Sequence, residues 1–296
     1  HIIALISIVL TGNTQAQKKN WTLHFFSETR AGEEIKLGYS YGERFLHKAS
    51  FIAGKDGKTN YTGIDHPGIY VLIFPDSSLY EFMVTAPGDY SVTEKDKHFT
   101  IDANPASEAF DRFQKQNRKA EQKLDSLRNS GISRGAIRAE TRAIKQSSDS
   151  MLAHLAREYK GSLAGHYFKA LLPVKTPDFR KTNTDLSDSA LWMKSISYYR
   201  NHFLDNISWG DPYLIYTPAL SGRIKDYLSR VTPQDFDSQL KATKYILGQA
   251  SDPGMKEFVT DFLIRHYLNN VDKVSGELVY LYLIEEVVLK NPPSGM

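Results

Sequence analysis

The sequence predicts an α+β protein in which an N-terminal antiparallel β-sandwich or half-open barrel precedes an all-helical domain. From Trp21 to about Asp102 the apolar residues recur with a period of two, and turn residues return roughly every eight to twelve positions. After Ile101 the apolar period changes to about 3.6. We therefore expect three regions: a partial signal peptide at 1–17, an antiparallel β domain at 18–103 and a helical domain at 104–296.

Turn chemistry separates the predicted strands. Asp56 and Gly57 form a pair able to take positive φ, and Pro75 and Pro87 each open a turn that continues with Asp or Gly. A sheet of this size must cover one face, which favours a sandwich or a half-open barrel. The predicted strands cover residues 21–27, 34–41, 45–53, 59–62, 68–74, 80–85, 90–94 and 98–101.

Apolar faces and capping residues predict the helices. Phe110 and Phe113 share a face of the first helix, and a Ser-Gly link at 129–133 folds the second helix back on it as an antiparallel hairpin. We expect both phenylalanines to pack on the β domain or on the next helix. A capping residue followed by Pro predicts helix starts at Asn104-Pro105, Thr217-Pro218, Thr232-Pro233 and Asp252-Pro253. Further helices are predicted over residues 162–172, 187–204, 218–230, 233–250, 253–268 and 277–290.

The first seventeen residues predict export. The apolar run 2–10 is shorter than the roughly 20 residues that span a bilayer, and small and polar residues ending near Gln17 follow it. This pattern is typical of the end of a bacterial signal peptide, so we expect a periplasmic or envelope protein. We also expect no transmembrane helix in the mature chain. The sequence contains no cysteine, which excludes disulfides and thiol chemistry within these residues.

Charge gives little indication of the partner. The net charge is +3, and the one basic stretch, residues 106–160, is spread over helices. We interpret that stretch as a solvated face and expect no nucleic-acid partner.

Motifs for catalysis are missing from the sequence. The histidines show no zinc spacing, and there is no serine-hydrolase elbow, P-loop or dinucleotide fingerprint, so we expect no catalytic residue, no metal and no cofactor. Glu81 lies between Tyr80 and Phe82, and strand alternation predicts that its side chain points to solvent.

Aromatic residues are concentrated between positions 190 and 216. The segment 207–216 is polar, aromatic and irregular, and it lies between two predicted helices. Helical spacing favours core packing for many of these rings, but some could line a groove for a peptide or glycan. Trp209, Tyr213 and Tyr216 are therefore the candidate binding residues.

Several segments resemble the N-terminal accessory region of Gram-negative envelope proteins whose C-terminal half is a thioredoxin-like, TlpA-type thiol-disulfide oxidoreductase. The matching segments are GIYVL at 68–72, the hairpin from Pro75 into YEFMV at 80–84, HFTI at 98–101, SEAFDRF at 107–113 and LAGHYFKAL at 163–171. The redox centre of that family is a Cys-x-x-Cys motif, which this chain lacks, so the resemblance transfers no catalytic residue.

The resemblance implies a non-catalytic accessory or partner-binding region of an exported thioredoxin-like disulfide reductase system. The expected partner is a thioredoxin-like domain in cis or another envelope protein. The alternative is a stand-alone envelope module that binds a peptide or glycan through the segment around Trp209. A hydrolase with an unrecognised carboxylate site is a third hypothesis.

Overall fold

The computed structural model describes residues 21–129, 131, 133–270 and 274–290, so the predicted signal peptide lies outside the described residues. The strands are β1 Trp21–Ser27, β2 Glu34–Tyr41, β3 Arg44–Ile52, β4 Lys58–Tyr61, β5 Gly68–Ile73, β6 Leu79–Val84, β7 Gly88–Lys95 and β8 His98–Asp102. The helices are α1 Pro105–Asn129, α2 Arg134–Glu158, α3 Leu163–Leu171, α4 Asp188–His202, α5 Pro218–Asp226, α6 Phe236–Gln249, α7 Pro253–Leu268 and α8 Val274–Tyr282. The predicted α+β fold class is confirmed.

The strands form a sandwich of two four-stranded sheets. The first sheet has the order β4-β1-β7-β8 and the second β3-β2-β5-β6. Neighbouring strands are antiparallel except β1 and β7, which are parallel from the Trp21–Gly88 pair to the Ser27–Glu94 pair. A parallel pair needs a long crossover connection, and here the connection runs through the whole second sheet.

The sandwich core lies between the two sheets. Leu23 and Phe25 of β1 face Leu37 of β2 and Leu72 of β5, and none of these four side chains is more than 2% exposed. Alternate residues of each strand point inward, as the period of two predicts. The core thus joins strands that are distant in sequence.

The β5–β6 part of the second sheet is buried on both faces. Tyr70 and Phe82 point into the sandwich core, whereas Ile69 and Met83 belong to the apolar core of the helical region. This explains why β5 is apolar along its whole length instead of alternating. The helices therefore pack on the outer face of this sheet.

The helix starts follow the capping prediction with one exception. Pro105, Pro218 and Pro253 begin α1, α5 and α7. The predicted start at Thr232-Pro233 is wrong, because α6 begins at Phe236, where the Asp235 side chain accepts a hydrogen bond from the Ser238 N–H. The described helices include none that is long and apolar enough to cross a membrane.

Candidate functional site

The predicted aromatic segment lies between α4 and α5, and it ends in a 3₁₀ turn at Pro212–Tyr216. Asp211 opens this turn, because its carboxylate accepts a hydrogen bond of 3.0 Å from the Tyr213 backbone N–H. The other carboxylate oxygen of Asp211 lies 2.7 Å from Nδ1 of His166 on α3. The segment is thus attached to the helical region through a polar pair that is largely covered.

Tyr216 packs between the helices and the second sheet. Its ring stacks on His66 at 3.8 Å between centroids, and it also contacts Tyr39 and Tyr41 of β2 edge-on or tilted. A side chain at Gly68 would bring a Cβ within 2.8 Å of the Tyr216 Cβ, so glycine is needed there for close approach. Packing accounts for this ring.

Trp209 and Tyr213 differ from Tyr216 in exposure. Trp209 is half-buried and packs against the helical core. Tyr213 is 42% exposed. The structure therefore places the three candidate residues in one segment but gives each a different environment, and Tyr213 presents the most surface to solvent.

The Glu81 side chain is covered by α1 and does not point freely to solvent. The side chain was expected to point to solvent, but α1 covers this face of β6, and Gln114 Nε2 donates a hydrogen bond of 3.0 Å to the carboxylate. Burial raises the pKa of Glu81, and the nearby Arg118 and the bond from Gln114 act against that rise. The strand alternation was predicted correctly; the covering helix was not.

A charged pair is buried at one end of the sandwich. Arg30, 7% exposed, donates from Nε to Glu94, 3% exposed, over 2.6 Å, and its guanidinium lies 4.1 Å from the centroid of the Phe74 ring. Asp76 and Ser78 each accept a further hydrogen bond from Arg30, so the group joins the β5–β6 turn to β7. Each of the three guanidinium nitrogens donates to at least one protein oxygen, which is typical of a structural ion pair.

The hairpin of α1 and α2 leaves the body of the protein. Residues 114–129 of α1 and 134–150 of α2, hereafter the arm, contain no buried residue, whereas Phe110 and Phe113 at the root of α1 are fully buried. Sixteen helical residues reach about 24 Å. Among the described residues, the arm hydrogen-bonds to the sandwich only at its base, where Gln114 meets Glu81, so the rest of the arm projects from the body.

The arm carries a concentrated positive charge. It holds nine Lys and Arg side chains against four Asp and Glu, in a chain whose net charge is only +3. An open groove of about 350 Å³ also lies between the two helices. The groove is lined by Gln116, Lys119, Ala120, Lys123, Glu140, Ala143, Ile144, Ser147 and Ser148.

From its sequence, this stretch is interpreted as a solvated face and is not among the candidate sites. A signal was present in the composition: between positions 114 and 150 there is no Phe, Tyr, Trp or Met, although aromatic residues make up 12% of the chain. Such a helix pair has little with which to pack on a protein body. The low apolar content of these two long helices therefore indicates that they project from the body of the protein.

Comparison with protein families and with curated proteins found no match. No protein-family model matches the chain, and no curated protein matches it. Among the described residues, no group of three or more His, Asp and Glu side chains could hold a metal ion.

Proposed function

We propose that this chain is a non-catalytic accessory region that binds a partner protein, and that the arm is the element that contacts the partner. The observation that carries the proposal is the projection of the arm, in which 33 residues of helix are ordered without one buried side chain. An isolated pair of helices gains too little from burial to offset its conformational entropy easily. A binding surface for a further protein is the simplest use of such an element.

The system in which it acts is proposed from the sequence resemblance. Thioredoxin-like, TlpA-type reductases of the envelope use a Cys-x-x-Cys motif, and thiol-disulfide exchange requires a thiolate. A chain without cysteine performs no such exchange itself. Its contribution would be to bind and orient a protein substrate or partner for a thioredoxin-like domain, in the periplasm or cell envelope.

A fusion experiment tests this function. The chain from residue 18 is joined to a TlpA-type thioredoxin-like domain, with and without residues 116–148, which a short Gly-Ser link replaces. We expect loss of the arm to change turnover of protein disulfides while leaving turnover of a small disulfide nearly unchanged, because accessory regions act by binding and orientation. Identical turnover on both substrates would mean that the arm plays no part in partner binding.

The non-catalytic assignment has its own measurement. The isolated chain, assayed for insulin reduction with dithiothreitol, should give the rate of the reagent blank. Turnover of any disulfide by this cysteine-free chain would contradict the assignment.

A second candidate function is binding of a peptide or glycan at the aromatic segment. It is favoured by Tyr213, which is 42% exposed and whose backbone N–H bonds to Asp211, so that an exposed ring and the Asp211–His166 pair belong to one turn. NMR titration with a muropeptide, which contains both a peptide and a glycan, tests this candidate function. Tyr213→Ala should abolish the chemical-shift changes that the muropeptide causes. Tyr245 is equally exposed, and Tyr245→Ala should leave those changes intact.

A further inference from the structure

We infer that the groove between α1 and α2 of the arm is a docking site for an acidic amphipathic helix of a partner protein. The inference rests on the proposed function and names the partner class for the same element. Its evidence is the shape of the groove, the chemistry of its floor and the charge of its rim.

The groove follows one face of each arm helix. On α1 it is lined at positions 116, 119, 120 and 123, and on α2 at positions 140, 143, 144, 147 and 148. Both sets follow the i, i+3, i+4, i+7 spacing of a single helix face, extending over about two turns or 11 Å. A third helix lying along this seam would meet side chains of both arm helices at once.

Small side chains make up four of the nine groove-lining residues, and their part of the lining is hereafter called the floor. Ala120, Ala143 and Ser147 leave the backbones of the two helices close to the surface, with Ile144 as the largest apolar group. Short side chains allow the axes of packed helices to approach, at distances of about 8–10 Å. The partner helix would therefore place small or medium apolar side chains on this floor.

Basic side chains form the rim on the α1 side. Lys119 lines the groove and has no carboxylate within 4.0 Å among the described residues, while Lys123 contacts Glu140 at 2.8 Å. Arg112 and Lys115 precede Lys119 by seven and four positions, so helical spacing places them along the same side of α1, where they pair with Glu108 at 3.7 Å and Asp111 at 2.7 Å. Acidic residues flanking the apolar stripe of the partner would meet Lys119 first, because the other cations of this row already pair with carboxylates of the arm or of α1.

Charge and composition favour an acidic protein helix over other occupants. A second copy of the arm would bring together two surfaces that each carry nine basic and four acidic groups, which repel. The arm offers no aromatic ring to insert into a lipid surface or to stack on nucleic-acid bases. An acidic helix matches both the charge and the groove.

The test measures binding of the full chain to a fluorescein-labelled synthetic peptide of about three heptads, with Ala and Leu in one stripe and Glu on both flanks. We expect saturable binding that raises peptide helicity by circular dichroism. A peptide of the same composition in scrambled order is the control for charge alone, and equal binding of both peptides would overturn the inference.

Two exposed lysines of the arm provide a matched pair of variants. Lys119→Glu reverses a charge in the groove, and Lys145→Glu makes the same change outside the set of groove-lining residues. Lys119→Glu should weaken peptide binding about fivefold and Lys145→Glu much less. Ala143→Trp, which fills the groove without changing charge, should weaken binding at least about tenfold. Equal losses for the two lysine variants, or none for Ala143→Trp, would overturn the groove as the site.

Other partners give distinct outcomes. Binding of anionic lipid vesicles or single-stranded DNA in preference to the peptide, or concentration-dependent dimerisation through the arm in sedimentation, would also overturn the inference. If loss of the arm changes turnover of protein disulfides in the fusion but the peptide does not bind, the partner class is wrong and the proposed function stands.

Discussion

Phe110 and Phe113 hold the root of the arm on the body. The Phe110 ring meets Tyr167 edge-on at 5.6 Å between centroids, and the Phe113 ring meets Phe168 at 5.3 Å, both on α3. We expected both rings to pack on the β domain or on the next helix, α2; the ring contacts are instead with α3, and the apolar cluster that holds both rings also includes Ile69 and Met83 of the β region. Phe113 is the last buried residue of α1, so the packed part of this helix ends there and the arm begins at residue 114.

We therefore expect Phe110→Ala to lower the free energy of unfolding by about 3–5 kcal/mol, the usual result of a cavity at a fully buried phenylalanine. Leu124→Ala, at a half-buried position of the arm, is the control and should cost less than about 0.5 kcal/mol. Urea denaturation measures both. A loss below about 1 kcal/mol for Phe110→Ala would show that the root is not anchored by this ring.

His66 makes stability at the sheet–helix junction depend on pH. Burial lowers the pKa of His66 below its ordinary value of 6.5, while the Pro67 carbonyl and Asp65 act to raise it and Lys48 acts to lower it further. The unfolded chain thus binds this proton more readily than the folded chain. The contribution of neutral His66 to the free energy of unfolding is fully present above about pH 6.5. This contribution is lost as the pH falls through the folded-state pKa.

Acidification from about pH 7.5 to about pH 5 should therefore destabilise the protein, and His66→Phe should remove part of that dependence while keeping a ring against Tyr216. The exposed His98→Phe is the control and should retain the wild-type slope. Urea midpoints across this pH range provide the measurement. An unchanged slope in His66→Phe would contradict the assigned role.

At the scale of elements, the arm is separable from the body. Residues 116 and 148 both line the groove at the proximal end of the arm, so a short Gly-Ser link can join the two helices there. At the usual share of about 0.1 kcal/mol per residue, 33 residues would contribute roughly 3 kcal/mol of stability. Because the arm buries no side chain, we expect its replacement to change the free energy of unfolding by less than about 1 kcal/mol.

Denaturant unfolding of the replaced and the complete chain tests this prediction. The m value should also fall little, because it scales with the surface exposed on unfolding. A loss of 3 kcal/mol or more would mean that the arm is integrated with the body.

The sequence predicted the elements well because their causes are local. All eight strands were predicted within two residues, since alternation and turn residues act over a few positions. The failures had distant causes. The covered state of Glu81 depends on α1, and the parallel pairing of β1 with β7 depends on a crossover through the second sheet. For the candidate site, sequence analysis identified Tyr213 and Tyr216 as one segment, but their different exposure is set by β2 and His66.

At the scale of the whole molecule, the β region and the helical region share a packed boundary. Ile69 and Met83 of the second sheet lie in the helical core, and the Gly42 N–H donates a hydrogen bond of 2.8 Å to the Ile215 carbonyl. Lys225 also pairs with Glu43 across the same boundary, at 2.9 Å. The sandwich and the packed helices therefore form a joint scaffold from which the arm projects.

Hydrogen exchange of the complete chain tests most directly whether stability is distributed in this way. Amides of the arm should open locally with little free energy, whereas those of α3 and β5 should exchange only through larger openings. We predict exchange in residues 116–148 at least about a hundredfold faster than in α3, equivalent to about 2.7 kcal/mol. Protection of the arm equal to that of α3 would contradict the account, because the arm would then be part of the packed body and not a free element for binding.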